Sequence, residues 1–110
     1  MSKNEATVLY YQVGKEPVLK SIPNTLEASQ KLVGGYIEYV YLEDGYVLVC
    51  NEEALLKDRP AWNRSTKFGG IVAGDFFVAR FEDQDDDSGD LDQLDDEDVN
   101  IIRDMIGPCL

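Results

Sequence analysis

Polar side chains follow the ends of several predicted strands, where a binding site could form. They are Cys50, Asn51, Glu52 and Glu53 after one strand, and Asn63, Arg64 and Asp75 from later loops. Arginine and asparagine side chains can hold a carboxylate or phosphate through several hydrogen bonds. One hypothesis is therefore a small-ligand site made of Asn63, Arg64, Glu52 and Asp75. The alternative is structural: Asn51 caps a helix, the glutamates are solvated, and Arg64 pairs with a carboxylate to hold its loop. The sequence favours this structural interpretation and leaves the ligand site open.

The composition offers little for catalysis. The chain has no histidine and two cysteines, Cys50 and Cys109, so Cys-His metal sites and histidine general bases are excluded. Two cysteines are also too few for a disulfide framework. Cys50 has no histidine partner, and we expect it to be a buried strand residue and not a nucleophile. We predict no catalytic residue, no cofactor and no enzyme activity.

A calcium loop is the strongest metal hypothesis for the acid-rich stretch near the C-terminus. With Asp86 in the first position of such a loop, the sixth position, which needs a turn glycine, is Leu91. No helix is predicted in front of it. We therefore predict loose binding of divalent ions at most, and no specific metal site.

The most hydrophobic stretch, residues 34–51, predicts a central β-hairpin. Residues 36–42 and 46–50 are rich in Tyr, Val and Ile, which favour strands. Asp44 and Gly45 between them both tolerate positive φ, as a type I′ turn requires. Both faces of the hairpin carry apolar side chains, so we expect part of it to be covered on both sides. Glu38 is the exception and is expected near an edge.

The remaining pattern completes a small α+β domain with a mixed or antiparallel sheet of about six strands and one packed helix. Residues 7–13 and 18–22 predict a first hairpin, and residues 68–73 and 75–81 predict two further strands. A helix is predicted over 25–33, with Asn24 and Glu27 as its capping box and Gly34 at its end. Its predicted inner face is Leu26, Ser29, Leu32 and Val33. A short helical turn is expected at 52–56, and a loop at 58–65.

The net charge of −12 divides the chain unevenly. Residues 1–81 hold nine Lys and Arg against ten Asp and Glu, whereas residues 82–110 hold one Arg against twelve acids. We predict a folded domain over 1–81, an acidic disordered linker over 82–94, and an amphipathic C-terminal helix over 95–110 that Gly107 and Pro108 stop. Direct nucleic-acid binding is not expected because these acids repel phosphate. They could instead compete for the basic surface of a protein.

The C-terminal helix carries an apolar stripe made of Val99, Ile102 and Ile106. The stripe either folds back onto the domain, docks into a partner, or pairs with a second copy of the chain. Trp62 is either an interaction anchor or a plug beneath its loop. The residues predicted to contact a partner are the acids Asp85, Asp86, Asp87, Asp90, Asp92, Asp95 and Asp96, together with Ile102, Ile106 and Trp62.

The location of the protein is inferred from what the sequence does not contain. It has no apolar run long enough to span a membrane, and its first residues do not follow a signal-peptide pattern. We therefore expect a cytoplasmic protein that does not interact with membranes.

Several short motifs give the chain a family resemblance. They are residues 24–28 (NTLEA), 34–38 (GGYIE), 49–53 (VCNEE), 63–64 (NR) and 71–77 (IVAGDFF). In this order they resemble the family called domain of unknown function 3846, known mainly from gut bacteria, their phages and mobile elements. The resemblance covers about residues 7–81 and leaves the acidic extension outside. The family has no established activity, so the resemblance implies a setting and not a mechanism.

Taken together, these observations lead to a binding hypothesis. We expect a small acidic interaction protein, encoded by a phage or mobile element, that binds and inhibits a host protein. The host protein would carry a basic surface, as nucleic-acid-handling and defence enzymes do, and the acidic arm would compete for it. The alternative is the small-ligand domain that uses the 63–64 loop.

Overall fold

The computed structural model describes residues 5–54, 60–81, 91 and 93–109 of the chain. In chain order the elements are β1 (Glu5–Tyr11), β2 (Val18–Pro23), α1 (Leu26–Val33), β3 (Ile37–Tyr41), β4 (Tyr46–Asn51), β5 (Trp62–Thr66), β6 (Ile71–Ala73), β7 (Phe76–Arg80), α2 (Asp96–Met105) and β8 (Ile106–Cys109). Neither of these two helices is long and apolar enough to cross a membrane.

The strands form two antiparallel sheets. The larger has the order β2-β1-β7-β4-β3, and the smaller has the order β6-β5-β8. The α+β class is therefore confirmed, whereas the expected sheet of about six strands is replaced by eight described strands in two sheets. In both sheets the outer strands have one unpaired side among the described residues, and β3 is one of these edge strands.

Alternation along the central strand β7 divides the core into two layers. Phe77 and Ala79 lie in the cluster that also contains Val33 of α1, whereas Phe76 and Val78 lie in the cluster with Ile102 of α2. This is the period of two that strands impose on their side chains. The large sheet is thus covered by α1 on one face, and by α2 and the small sheet on the other.

The central hairpin is confirmed. Strands β3 and β4 pair from Ile37–Asn51 to Tyr41–Val47, and the Tyr46 N–H donates to the Glu43 carbonyl across the turn. Asp44 and Gly45 have φ of 59° and 82°, the positive values expected for a type I′ turn. Burial differs sharply between the strands: β4 is almost entirely buried, and four of the five β3 residues are exposed. Glu38 is exposed on the edge strand, as expected.

Helix α1 begins one residue later than predicted. Thr25 is the N-cap and its hydroxyl accepts from the Ala28 N–H, whereas the Asn24 side chain is bonded to the backbone of Leu91. Leu26, which was predicted on the inner face of the helix, is 58 % exposed, so its predicted burial was wrong. Ser29 and Val33 are buried as predicted, and Gly34 ends the helix with φ of 81°.

The C-terminal part of the chain differs most from expectation. Helix α2 ends at Met105, just before Gly107 and Pro108, which were predicted to stop it and which lie in strand β8. Strand β8 pairs with β5, which occupies the second half of the predicted 58–65 loop. Pro108 is tolerated because β8 is an edge strand and needs fewer ladder donors. The predicted 52–56 turn lies partly outside the described residues.

Candidate protein-interaction surface

Asn63 is a structural residue. It is fully buried, and its side-chain amide donates to the carbonyl oxygens of Tyr11 (3.0 Å) and Gly74 (2.9 Å). Its side-chain oxygen accepts from Arg64 at 2.7 Å. Both amide hydrogens are therefore used to join β5 to β1 and to the β6–β7 turn, so Asn63 has no donor left for a ligand.

Arg64 is a buried cation held mainly by backbone oxygens. Only 2 % of its surface is exposed, and its guanidinium donates to the carbonyl oxygens of Asn63 and Lys15. The guanidinium also lies 5.2 Å from the centre of the Tyr11 ring, a cation–π contact. Among the described residues no carboxylate forms an ion pair with it, contrary to the structural alternative considered from the sequence. Arg64 also lines a cavity of about 370 Å³ together with Arg103 and Glu16.

The other two residues of the predicted ligand site lie elsewhere. Asp75 accepts from the Val13 N–H at 3.0 Å and from the Tyr10 hydroxyl at 3.3 Å, which ties the β6–β7 turn to the end of β1. Glu52 is exposed and borders a different, apolar cavity beside β3. The four residues therefore do not converge on one pocket.

Cys50 has the properties of a core residue. It is buried, and burial together with the nearby charge of Glu38 raises its thiol pKa to about 11. A thiol with this pKa is almost fully protonated at neutral pH and is a poor nucleophile. Across the described part of the chain, no three His, Cys, Asp or Glu side chains cluster as a metal site would require.

The acid-rich region is attached to the body at more than one point. We call residues 82–90, which hold six acids, the acidic segment. Phe81 in front of it and Leu91 behind it form an antiparallel bridge, and Gln93 forms a parallel bridge with Thr7. Leu91 and Leu94 are both buried in the core. The acidic segment therefore begins and ends at one place on the body.

The predicted partner-contacting acids divide into two groups. Asp85, Asp86, Asp87, Asp90 and Asp92 lie outside the described residues. Asp95 and Asp96 are exposed at the start of α2, where Asp95 also forms a reciprocal capping box with Asp98. Negative side chains at this end of a helix interact favourably with its dipole.

The apolar residues predicted to contact a partner have different positions. Ile102 and Ile106 are 0 % and 4 % exposed and pack in the core with Leu48 and Phe76, so the stripe folds back onto the domain. Because both are buried, neither is available to a partner, and we exclude them from the candidate surface. Trp62 is 48 % exposed on β5, so it is not a buried plug.

An exposed aromatic cluster stands at the start of the acidic segment. Tyr39 and Tyr41 of β3 and Phe81 after β7 have ring centres 6.0–6.4 Å apart. Tyr41 is 70 % exposed, and Tyr39 is also exposed. Large exposed aromatic groups on a strand edge are typical of interaction surfaces. These residues were missed from the sequence because all three were assigned to the packing of the sheet.

Five acids surround the same edge. Between Lys31 and Lys57 the sequence contains no cation, and its acids are Glu38, Glu43, Asp44, Glu52 and Glu53, which we call the hairpin acids. All five are exposed. The run without Lys or Arg is a sequence signal that could have identified this surface. Lys67 is a nearby counter-charge, 3.6 Å from Glu43 and 4.0 Å from Asp104.

Comparison with known proteins provides a family but no function. The family model for the domain of unknown function DUF3846 matches residues 6–107. The chain belongs to the DUF3846 family. Comparisons with curated proteins and with solved structures find no significant match.

The extent of the DUF3846 match changes the interpretation of the C-terminal region. The resemblance rested on residues 7–81 and left the acidic extension outside, whereas the family model continues through the acidic segment, α2 and the first two residues of β8. This agrees with the packing of Ile102, Met105 and Ile106 in the core. In this DUF3846 chain the acidic segment lies within the family domain.

Proposed function

We propose that this DUF3846 protein is an interaction protein that binds a basic surface on a protein partner. The observation that carries the proposal is the bridge between Phe81 and Leu91: it joins the two residues that flank the acidic segment, and Phe81 belongs to the exposed aromatic cluster. Aromatic side chains anchor many protein interfaces. The charge around them determines which sign of charge the partner must carry, and it speeds association. The hairpin acids extend the same negative charge along β3.

The class of partner follows from its required charge. A protein with a basic channel or groove normally binds nucleic acid, and an acidic protein that occupies it acts as an inhibitor. We propose a nucleic-acid-handling or defence enzyme of a bacterial host as the partner. A phage or mobile element as the source of the gene, and the cytoplasm as the place of action, belong to the same proposal.

The experiment uses the full chain as bait in a gut-bacterial lysate. The test variant carries Asp85→Asn, Asp86→Asn and Asp87→Asn. The matched control carries Glu5→Gln, Glu16→Gln and Glu27→Gln, three exposed acids outside the candidate surface. We expect wild type and control to retain a nucleic-acid-binding protein that added duplex DNA displaces, and the test variant to lose it. Retention of the same proteins by all three baits, or no DNA-displaceable protein on any of them, contradicts the proposal.

The cavity beside Arg64 supports a second candidate function, the binding of a small anion. It is lined by Arg64 and Arg103, and Arg103 forms a long ion pair, 3.8 Å from Glu16, at an exposed position. Of the four predicted ligand residues, Arg64 alone is kept in this proposal. Inorganic phosphate at millimolar concentration should raise the melting temperature of wild type and of the exposed-lysine variant Lys31→Gln, but not of Arg103→Gln. An equal response of all three proteins, or none, contradicts this function.

A further inference from the structure

Within the described part of the chain no strand pairs with the outer side of β3, which therefore presents backbone groups for another strand. The backbone groups of Tyr36 and Leu42 point towards β4. The Glu52 N–H donates to the Tyr36 carbonyl, and the Leu42 N–H donates to the Tyr46 carbonyl. Backbone groups alternate in direction along a paired edge strand. Ile37, Tyr39 and Tyr41 therefore direct their N–H and C=O groups away from the sheet. An exposed strand edge of this kind is a template for pairing with another chain.

The two sides of this edge offer different surroundings. On the side of α1 is the aromatic cluster of Tyr39, Tyr41 and Phe81, and Phe81 directly precedes the acidic segment in the sequence. On the opposite side is a cavity of about 400 Å³ between the sheets, lined by Val40 and by the exposed Phe68 and Ile71. An added strand would place alternate side chains on these two sides.

The charge along the edge determines what kind of strand fits. The hairpin acids are all exposed, and the sequence directly after Phe81 holds six more carboxyl groups within nine residues. Arginine and lysine side chains interact favourably with carboxylates and with the faces of tyrosine rings. An acidic strand would meet the like charge of Glu38 on β3 and of Glu43 and Asp44 in the turn after it, and is disfavoured.

We infer that β3 binds an extended segment of the partner that alternates Arg or Lys with apolar residues, as an additional strand of the large sheet. The basic side chains contact the tyrosine rings, and the apolar side chains enter the cavity between the sheets, whose lining also includes Glu38 and Glu52. This inference rests on the proposed function, because it specifies which segment of a basic partner the same surface recognises. Backbone pairing supplies the geometry, and alternate side chains supply the specificity.

The test uses a blocked synthetic peptide of alternating arginine and valine, about as long as a typical strand of six residues. A glutamate–valine peptide of equal length is the charge control. Hydrogen exchange of the full chain is followed residue by residue, with and without peptide. We expect the arginine peptide to slow exchange at the Tyr39 and Tyr41 amides, whose N–H groups face outward, and the glutamate peptide to leave them unchanged.

The variant Tyr41→Lys tests the role of the aromatic cluster, because Tyr41 is the most exposed residue of that cluster. Leu19→Lys is its control, since Leu19 is exposed on β2, the opposite edge of the same sheet. We expect Tyr41→Lys to weaken binding of the arginine peptide about tenfold or more, as loss of an aromatic anchor does. Leu19→Lys should leave the affinity within about twofold of wild type.

Failure of the inference can be told apart from failure of the proposed function. The arginine peptide could bind without slowing hydrogen exchange at Tyr39 and Tyr41, while the Asp85, Asp86 and Asp87 to Asn variant no longer binds it. In that case the inference of strand addition is wrong, and the proposed acid-dependent binding stands. Equal binding of the two peptides overturns the requirement for basic side chains. If neither peptide binds, the inference fails, and the lysate experiment alone decides on the proposed function.

Discussion

Phe81 and Leu91 pair in an isolated antiparallel bridge, which joins the two ends of the acidic segment at the margin of the core. Leu91 is buried. Its backbone N–H donates to the side-chain oxygen of Asn24 at 3.5 Å, and the side-chain amide of Asn24 donates to the Leu91 carbonyl at 3.3 Å. The two residues that flank the acidic segment are thereby held together, and Phe81 contacts the tyrosines of β3. An unattached tail would have to be ordered at the moment of binding, and attachment at both ends reduces that entropic cost.

The first prediction concerns this anchor. Leu91→Ala should lower the free energy of unfolding by about 2–5 kcal/mol, the usual cost of truncating a buried leucine. Leu26→Ala is the matched control: Leu26 is exposed on α1, and its truncation should change stability by less than about 0.5 kcal/mol. Urea unfolding followed by circular dichroism measures both. Equal, small effects would show that Leu91 does not anchor the segment.

The second prediction concerns the pairing of β8 with β5. A Cβ at Gly107 would lie 2.8 Å from the Ser65 side-chain oxygen and 3.2 Å from its carbonyl oxygen. Gly107→Ala should therefore destabilise the protein by about 1–3 kcal/mol, the usual cost of overpacking.

Gly70→Ala is the control for this prediction, because a Cβ at Gly70 would make only an ordinary contact with Thr66 at 3.8 Å. Its denaturation midpoint should lie close to that of wild type. If Gly107→Ala is as stable as Gly70→Ala in the same urea titration, the close approach of β8 to Ser65 is wrong.

The third prediction concerns acid stability. Burial raises the pKa of Asp98, but hydrogen bonds from the Tyr46 hydroxyl and the Asp95 backbone and the charge of Arg80 outweigh it, so the pKa lies below its ordinary value. A depressed folded pKa stabilises the fold above the unfolded value of about 4, and this contribution is lost as pH falls through the folded value. Asp98→Asn should be less stable than wild type at neutral pH.

The difference in free energy of unfolding between wild type and Asp98→Asn should shrink as pH falls below about 4. Urea titrations at a series of pH values from neutral to acidic measure it. A difference that stays constant over this range, or grows on acidification, contradicts the assigned role of the Asp98 carboxylate.

The fourth prediction concerns the two thiols. Cys50 is buried with a thiol pKa raised to about 11, whereas Cys109 is exposed on the edge strand β8. Iodoacetamide under native, mildly alkaline conditions should therefore modify Cys109 first and give one adduct per chain. A second adduct should appear at the same rate only in denaturant. Rapid double labelling of the native protein, measured by intact mass, would show that Cys50 is accessible.

Sequence reasoning succeeded where local chemistry decides the conformation. The turn at Asp44 and Gly45 was predicted because both residues tolerate positive φ, and the end of α1 at Gly34 follows from the same property. The two faces of β7 were predicted because alternation separates Phe76 and Val78 from Phe77 and Ala79. These features depend on neighbours only a few residues away.

Sequence reasoning failed where a residue is stabilised by a distant partner. Asn63 and Arg64 were placed in a loop because they are polar, yet they are buried in β5 where they bond carbonyl groups of residues 11, 15 and 74. Asn24 was assigned to cap α1, but it is bonded to Leu91, 67 residues away. The candidate surface was missed for a similar reason, because nothing local shows that β3 is an edge strand or that Phe81 meets Tyr39.

The most direct test of the central claim is the salt dependence of the affinity between the full chain and the partner that it captures. It is measured for wild type and for the Asp85, Asp86 and Asp87 to Asn variant, from about 0.1 M to about 1 M salt, where the Debye length falls from about 10 Å to about 3 Å. We predict that wild-type affinity falls steeply with salt, and that the variant binds more weakly at low salt and depends less on salt. Equal affinities of the two proteins at every salt concentration would contradict the account.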